Sequence, residues 1–209
     1  MIVQGSPEWF DARRGKVTAS RVADVMAKTK TGYSASRANY MAELLCERLT
    51  GTTAAGFSND AMRWGTETEP QARAAYAFLH DVDVVEVGFV DHPTVAMSGA
   101  SPDGLVGADG MVEIKCPNTS THLDTLLGAP IKGSYVTQMQ WQMACADRAW
   151  CDFVSFDPRL PEAMQLHVTR VVRDDAAIAE AEGEVGRFLS ELAGKEAELV
   201  RRYGERKAA

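Results

Sequence analysis

The chain of 209 residues reads as an α/β fold: a central mixed β-sheet flanked by helices, with one long helix at the C-terminus. Three observations predict it. The first eighty or so residues carry apolar side chains at helical spacing. From Asp81 the pattern switches to short β-branched runs separated by Gly-, Asp- and Pro-containing turns. After Asp174 an apolar stripe continues to about Tyr203. The length and the 45% hydrophobic content suit one domain spanning 1–209, with a helical part to about 80, sheet and helices over about 81–173, and the terminal helix over about 174–204.

Thr18 or Ser20 is placed to cap a short helix through Ala27, with Val22, Val25 and Met26 on one side. A polar loop over Lys30 to Ser34 follows. Tyr40, Met41, Leu44, Leu45 and Leu49 then mark a helix that Gly51 stops. A third helical region covers about Asn59 to His80, and Pro70 is expected near the start of its helix proper, where proline is tolerated. VDVVEVGFV alternates as a strand; VAMSG, GLVGA and MVEIKC continue as short strands, with a hairpin turn at Ala108-Asp109-Gly110. Helices are expected over about Ser120 to Leu127 and Ser134 to Cys145, and strands in WCDFVSFD and QLHVTRVV. Ile178, Ala181, Val185, Phe188, Leu189, Leu192 and Leu199 form the final stripe.

Composition excludes several classes. MIVQGSPEWF has no basic region followed by an apolar run, so no signal peptide is read there, and no apolar stretch approaches the roughly 20 residues of a membrane span. Cys46, Cys116, Cys145 and Cys151 form no CxxC pair and read as reduced thiols of a cytoplasmic protein. Four scattered histidines argue against a histidine metal site. The net charge of −7 argues weakly against nucleic acid, yet Arg13 to Tyr40 holds seven basic residues against one acidic. That run is either a solvated helix face or a focused basic patch.

The stretch SGASPDGLVGADGMVEIKCP carries the chemistry. Residues two apart on a strand share a face, so Glu113 and Lys115 project together while Ile114 points into the core. Asp103, ahead of the hairpin, can return to the same end of the sheet. Two carboxylates suit Mg²⁺, with the Ile114 carbonyl as a further oxygen and the lysine beside the attacking water. The alternative is a surface salt bridge between Glu113 and Lys115 on an edge strand. Glu69 and Glu67, before Pro70, are further carboxylates whose plain role is at a helix dipole. In SYVTQMQWQMACAD, Gln138 and Gln142 share a helix face, with Tyr135 one turn before.

SPEWFDARRGKVTAS, GTETEPQARAAY, SPDGLVGADGMVEIKCP and YVTQMQWQM, in this order, resemble the lambda exonuclease and YqaJ-type viral recombinase nucleases of the PD-(D/E)xK superfamily, over about Ser6 to Arg159. The resemblance implies a restriction-endonuclease-like core forming a single nuclease domain. It assigns Asp103 and Glu113 as metal ligands and Lys115 as the residue that positions or deprotonates water. It makes Glu69, not Glu67, the helical acid and Gln138 the glutamine after the catalytic strands. Arg13, Ser20 and Ser101 become 5′-phosphate ligands; Tyr135, Arg14 and Lys16 become possible DNA contacts. Thr121 stands where lambda exonuclease carries an arginine, so the phosphate contacts of that arginine are either lost or supplied elsewhere, with Arg14 and Lys16 as candidates.

The implied activity is Mg²⁺-dependent 5′-to-3′ digestion of one strand of linear duplex DNA, with two ions and Mn²⁺ as a substitute. The implied assembly is a homotrimer that works with a single-strand annealing protein in a bacterial host, from phage or prophage, leaving a 3′ tail for recombination; no membrane is involved. Two other readings use the same residues: a PD-(D/E)xK endonuclease, which has no need of the Arg13/Ser20 end-binding motif, and a non-catalytic DNA clamp, against which the intact Asp103, Glu113 and Lys115 weigh. The iron–sulfur branch of the superfamily needs clustered cysteines that this chain lacks.

Overall fold

Residues 2–53 and 60–204 are described by a computed structural model. Ser6 caps α1 (Pro7–Arg13), its hydroxyl accepting from the Trp9 N–H, and Pro7 opens the helix. The chain turns at Gly15, where φ is +66° and an added Cβ would stand 2.8 Å from Arg48 Cγ. That turn is pinned from α3 (Ala35–Thr50): the Gly15 N–H donates to Glu47 Oε2 at 2.8 Å and Arg48 Nε donates to the Gly15 carbonyl at 2.9 Å.

Strand β1 (Val17–Thr18), a 3-10 turn over Ala19–Arg21 and α2 (Val22–Met26) follow. Neither Thr18 nor Ser20 caps the helix. Ser20 lies inside the 3-10 turn, which has no side-chain cap at its start. The expected polar loop is a hairpin of β2 (Lys28–Thr29) and β3 (Gly32–Tyr33), closed by antiparallel pairing. Gly51, at φ +67°, ends α3 as its position predicts.

Helix α4 runs Asp60–His80, and the expected start at Asn59 lies outside the described residues. Pro70 sits inside this helix rather than near its start. It is exposed, as is Thr66, whose carbonyl it leaves without an intrahelical partner, so solvent can satisfy that group. VDVVEVGFV splits into β4 (Val84–Val85) and β5 (Val90–Asp91), which join different sheets. The N-terminal segment crosses the break: a Cβ on Gly88 would stand 2.5 Å from the Ile2 carbonyl oxygen, and Gln4 Nε2 donates to the Val87 carbonyl at 2.8 Å.

The remaining elements are β6 (Ser98–Ala100), β7 (Gly104–Val106), β8 (Gly110–Lys115), α5 (Thr119–Leu126), α6 (Gly133–Ala146), β9 (Trp150–Phe156), β10 (Leu166–Val172) and α7 (Asp175–Tyr203), which Asp174 caps. Five strands form a sheet in the order β10-β9-β8-β7-β4, parallel between β8 and β9 and antiparallel elsewhere. Three more form β1-β6-β5.

Strand alternation sorts β8 between two layers. Val112 and Ile114 pack with Ala72 and Tyr76 of α4, whereas Met111 joins Met139 and Met143 of α6 on the opposite face. Glu113 and Lys115 therefore face the α6 side. Helix α7 buries Ile178, Ala181, Val185, Phe188 and Leu192, four of which join a core built with α2, α3 and Trp141. Among the described residues no helix is long and apolar enough to cross a membrane.

Candidate active site

Glu113 is fully buried and every oxygen of its carboxylate is held. Gln138 Nε2 donates to Oε1 at 2.7 Å and Gln142 Nε2 donates to Oε2 at 2.7 Å. Lys115 forms an ion pair with Oε1. The glutamines come from successive turns of α6, and their i, i+4 spacing lets them grip both edges of one carboxylate. Half-buried Asp103 accepts the Ile114 N–H on Oδ2 at 2.6 Å, which ties the turn before β7 to β8. Tyr135 stacks on Phe153 with ring centres 5.9 Å apart and lies 5.1 Å from Lys115 Nζ.

The carboxylates crowd one another. Desolvation, then Glu113 and Glu69, push the Asp103 carboxyl well above the usual range, and burial and Glu113 also raise Glu69. Burial alone would lower Lys115, but Glu113 and Asp103 outweigh it and hold its ammonium above the ordinary value. Glu69 is mid-helix, not at a helix start, which removes the dipole reading. It pairs with Arg73, whose Nε donates to the Asp103 carbonyl at 3.1 Å and whose Nη1 lies 3.0 Å from Glu86.

These acids fit a hard divalent cation in one particular way. Among the described residues no three of His, Cys, Asp and Glu stand together as a ready metal cage. Asp103 and Glu113 offer oxygen donors side by side, and burial with the neighbouring carboxylates raises the Asp103 and Glu69 carboxyls, a crowding that a cation would relieve. Two carboxylates completed by solvent is the arrangement Mg²⁺ favours.

A second cluster lies on the other side of the glutamines. Arg13, Ser20, Ser101, Trp9, Thr18 and Gln4 line a cavity of about 170 Å³ whose wall includes Gln138 and Gln142. The Arg13 guanidinium stacks 3.8 Å over the Trp9 ring, and Trp9 Nε1 donates to Ser101 Oγ at 2.9 Å. Arg13 has no carboxylate within ion-pair reach among the described residues; the nearby Asp11 pairs with Arg14 instead. Burial pushes the Arg13 pKa down, and the more distant charge of Glu47 offsets it only in part. Gln4 Nε2 donates to the Pro102 carbonyl at 2.8 Å and so closes one side.

Most of the basic run from Arg13 to Tyr40 is not a free patch. Arg14 pairs with Asp11, Lys16 with Asp91, Arg21 with Asp24 and Glu43, Lys28 with Glu184, and Arg37 with Glu191. Only Arg13 and Lys30 of the seven have no carboxylate within ion-pair distance among the described residues. Arg14 and Lys16 do not line the cavity. Thr121 sits in the first turn of α5, its N–H capped by Asn118 Oδ1 at 2.9 Å. Sequence reasoning singled out neither Trp9, Gln4 nor Arg73, which act through long-range contacts. Gln142 was signalled only by its spacing from Gln138.

The model of the YqaJ-like viral recombinase domain family matches residues 8–149. An alkaline exonuclease, LHK-Exo, from Laribacter hongkongensis is 57% identical, covering 96% of this chain and 99% of its own with a TM-score of 0.90; a second structure of LHK-Exo, in complex with dAMP, matches equally. A phage-related exonuclease from Haemophilus somnus 129PT shares the fold at a TM-score of 0.69 and 17% identity, over 86% of this chain and 96% of its own. No curated relative matches. With a family match over most of its length and a relative at 57% identity, the chain belongs to the YqaJ-like viral recombinase domain family.

Proposed function

We propose that this chain is a Mg²⁺-dependent exonuclease of the phage type that degrades one strand of linear duplex DNA from a 5′-phosphorylated end, 5′ to 3′. The observation that carries the reading is the shared wall. Gln138 and Gln142 hold Glu113 with their amides and also line the cavity of Arg13, Ser20 and Ser101. An anion pocket one side chain away from an acid site suits an enzyme that grips a terminal phosphate and cuts the next phosphodiester.

Asp103 and Glu113, with the Ile114 carbonyl and Glu69, would hold the ions, two in number, with Mn²⁺ able to replace Mg²⁺. The bound cation supplies positive charge to the phosphoryl oxygens and lowers the pKa of water. Arg13 binds the end phosphate through its planar fork, with the Ser20 and Ser101 hydroxyls beside it. Lys115, held as an ammonium, orients the attacking water and offsets charge on the phosphate. Water oxygen bonds to phosphorus, the bond to the 3′ oxygen breaks, and that oxygen takes a proton. A 5′-mononucleotide leaves, and the new end carries a 5′-phosphate that can enter the same pocket. The dAMP complex of LHK-Exo supports this reading, because a nucleoside monophosphate is the product such a step releases.

Tyr135, beside Lys115, would contact the strand near the cut. With Arg14 and Lys16 each held by an aspartate, DNA contacts through them would require those pairs to open. The 3′ tail would serve a single-strand annealing protein in recombination, and a homotrimer in the host cytoplasm is the assembly we propose.

The test is incubation with linear duplex carrying strand-specific labels, in Mg²⁺, with 5′-phosphoryl or 5′-hydroxyl ends. Loss of label from the 5′ end as mononucleotide, faster on phosphorylated ends and absent in EDTA, is expected. Internal cuts in closed circular DNA would instead establish an endonuclease.

A further inference from the structure

We propose that Gln142 is a positioning residue that couples occupancy of the anion pocket to the geometry of Glu113. The inference rests on the pocket reading above and adds a residue that acts between the two sites. Gln142 is fully buried. Its Nε2 donates to Glu113 Oε2 at 2.7 Å, while its Oε1, also buried, has no hydrogen-bond partner.

The two ends of the amide are not interchangeable. Turning it over would set a carbonyl oxygen against a carboxylate oxygen, so the Glu113 contact fixes which end is left over. A buried amide oxygen without a donor is unfavourable, and native structures rarely keep one. The same side chain lines the cavity with Arg13, Ser20 and Ser101. Ser101 Oγ accepts from Trp9 Nε1, which leaves its own O–H to donate. Gln138, the other grip on Glu113, has no such orphaned atom.

A phosphate entering this cavity brings hydration water and draws the Arg13 N–H groups inward. Both supply donors that the Gln142 carbonyl lacks. Pairing that oxygen immobilises the amide, and the immobilised amide holds Glu113 Oε2 in one place. An end in the pocket thereby sharpens the carboxylate that works on the next phosphodiester. Gln142 touches neither the reacting atoms nor, in this scheme, a cation; it acts through Glu113.

The test is a double-mutant cycle between Arg13→Ala and Gln142→Met, a change that keeps side-chain length and removes both ends of the amide. Two readouts are taken on 5′-phosphorylated duplex: kcat in Mg²⁺, and affinity by fluorescence anisotropy in Ca²⁺. Gln142→Met is expected to lower kcat about tenfold and to leave affinity within about threefold. Arg13→Ala is expected to lower kcat about tenfold in the natural background, but less than about threefold in the Gln142→Met background. Equal fold-losses from Arg13→Ala in both backgrounds, with its preference for phosphorylated ends intact, would overturn the coupling and leave the pocket standing. No effect of Arg13→Ala on that preference in the natural background would overturn the pocket and this proposal together. Should Gln142→Met reduce the folded yield, Gln142→Asn, which keeps the amide one methylene short, carries the same comparison with the same expected non-additivity.

Discussion

The acid cluster on β8 and the cavity beneath α1 share a wall of two glutamines, yet they are built by opposite rules. Around Glu113 negative charge is crowded, and the Asp103 and Glu69 carboxyls rise in response. In the basic segment from Arg13 to Tyr40 five of the seven cations have an acid partner; the exposed Lys30 and the partly buried Arg13 do not, and of these two only Arg13 lines the cavity. The difference teaches where to look for function in a charged chain. Buried charge that its neighbours leave under-compensated, as at the raised Asp103 and Glu69 carboxyls and at the partly buried Arg13, marks a place suited to a ligand.

The largest expected effect is at the lysine between the acids. Lys115→Ala should lower the single-turnover cleavage rate by about 10²–10⁴-fold while duplex binding persists. Binding lost together with cleavage would make Lys115 a scaffold residue and erase the contrast.

Next come the acids. Asp103→Asn and Glu113→Gln should each weaken Mg²⁺ binding by about tenfold or more, measured by titration calorimetry. Ca²⁺, which accepts looser coordination, should support DNA binding without turnover, and Glu69→Gln should show a milder form of the same defect. Brisk cleavage in EDTA would refute the metal reading outright.

A smaller effect is expected at a paired acid of the scaffold. Lys28 and Tyr33 bond to Glu184 and tie the β2–β3 hairpin to α7, and together with Arg187 one turn along the helix they hold the Glu184 carboxyl down at about 2. A depressed carboxyl contributes stability that is fully present above its unfolded value of 4.5 and is lost as pH falls through about 2. Glu184→Gln should therefore lower stability at neutral pH by roughly 1–2 kcal/mol, allowing for solvent screening of the exposed Lys28 and Arg187 partners, and flatten the acid limb of a pH–Tm curve. An unchanged acid limb would show that the hairpin tie carries no stability.

The smallest effects should come from Arg14→Ala and Lys16→Ala, whose charges are already matched by Asp11 and Asp91; exposed pairs of this kind contribute about 0–1 kcal/mol. A loss of DNA affinity at either position approaching that of Arg13→Ala would mean that these pairs open on DNA.

The acid cluster was legible because a strand repeats every two residues: Glu113, Ile114 and Lys115 had to alternate, and they do. The ends of α3 and α7 were legible from Gly51 and Asp174 for similarly local reasons. What failed to show depended on distant segments. The run VDVVEVGFV is one strand by propensity, but the N-terminal segment packed at Gly88 divides it. Pro70 looked like a helix start because the sequence does not show that its face is open to solvent. The basic run looked like a patch because several of its acids lie outside it in sequence, Glu184 and Glu191 some 150 residues away. The cavity itself unites Gln4, Arg13, Ser101 and Gln142, which no local period connects.

The central claim is that the unpaired Arg13 receives a terminal phosphate beside the acid site, and the most direct measurement is the ratio of kcat/KM on 5′-phosphoryl to 5′-hydroxyl duplex ends, before and after Arg13→Ala. A charge-assisted hydrogen bond contributes about 1.5–3 kcal/mol, so the account predicts that Arg13→Ala lowers this ratio about tenfold to a hundredfold, almost wholly by slowing the phosphorylated end. Equal slowing on both ends, with the ratio unchanged, would contradict it and make Arg13 a general DNA contact or a partner of Trp9 alone.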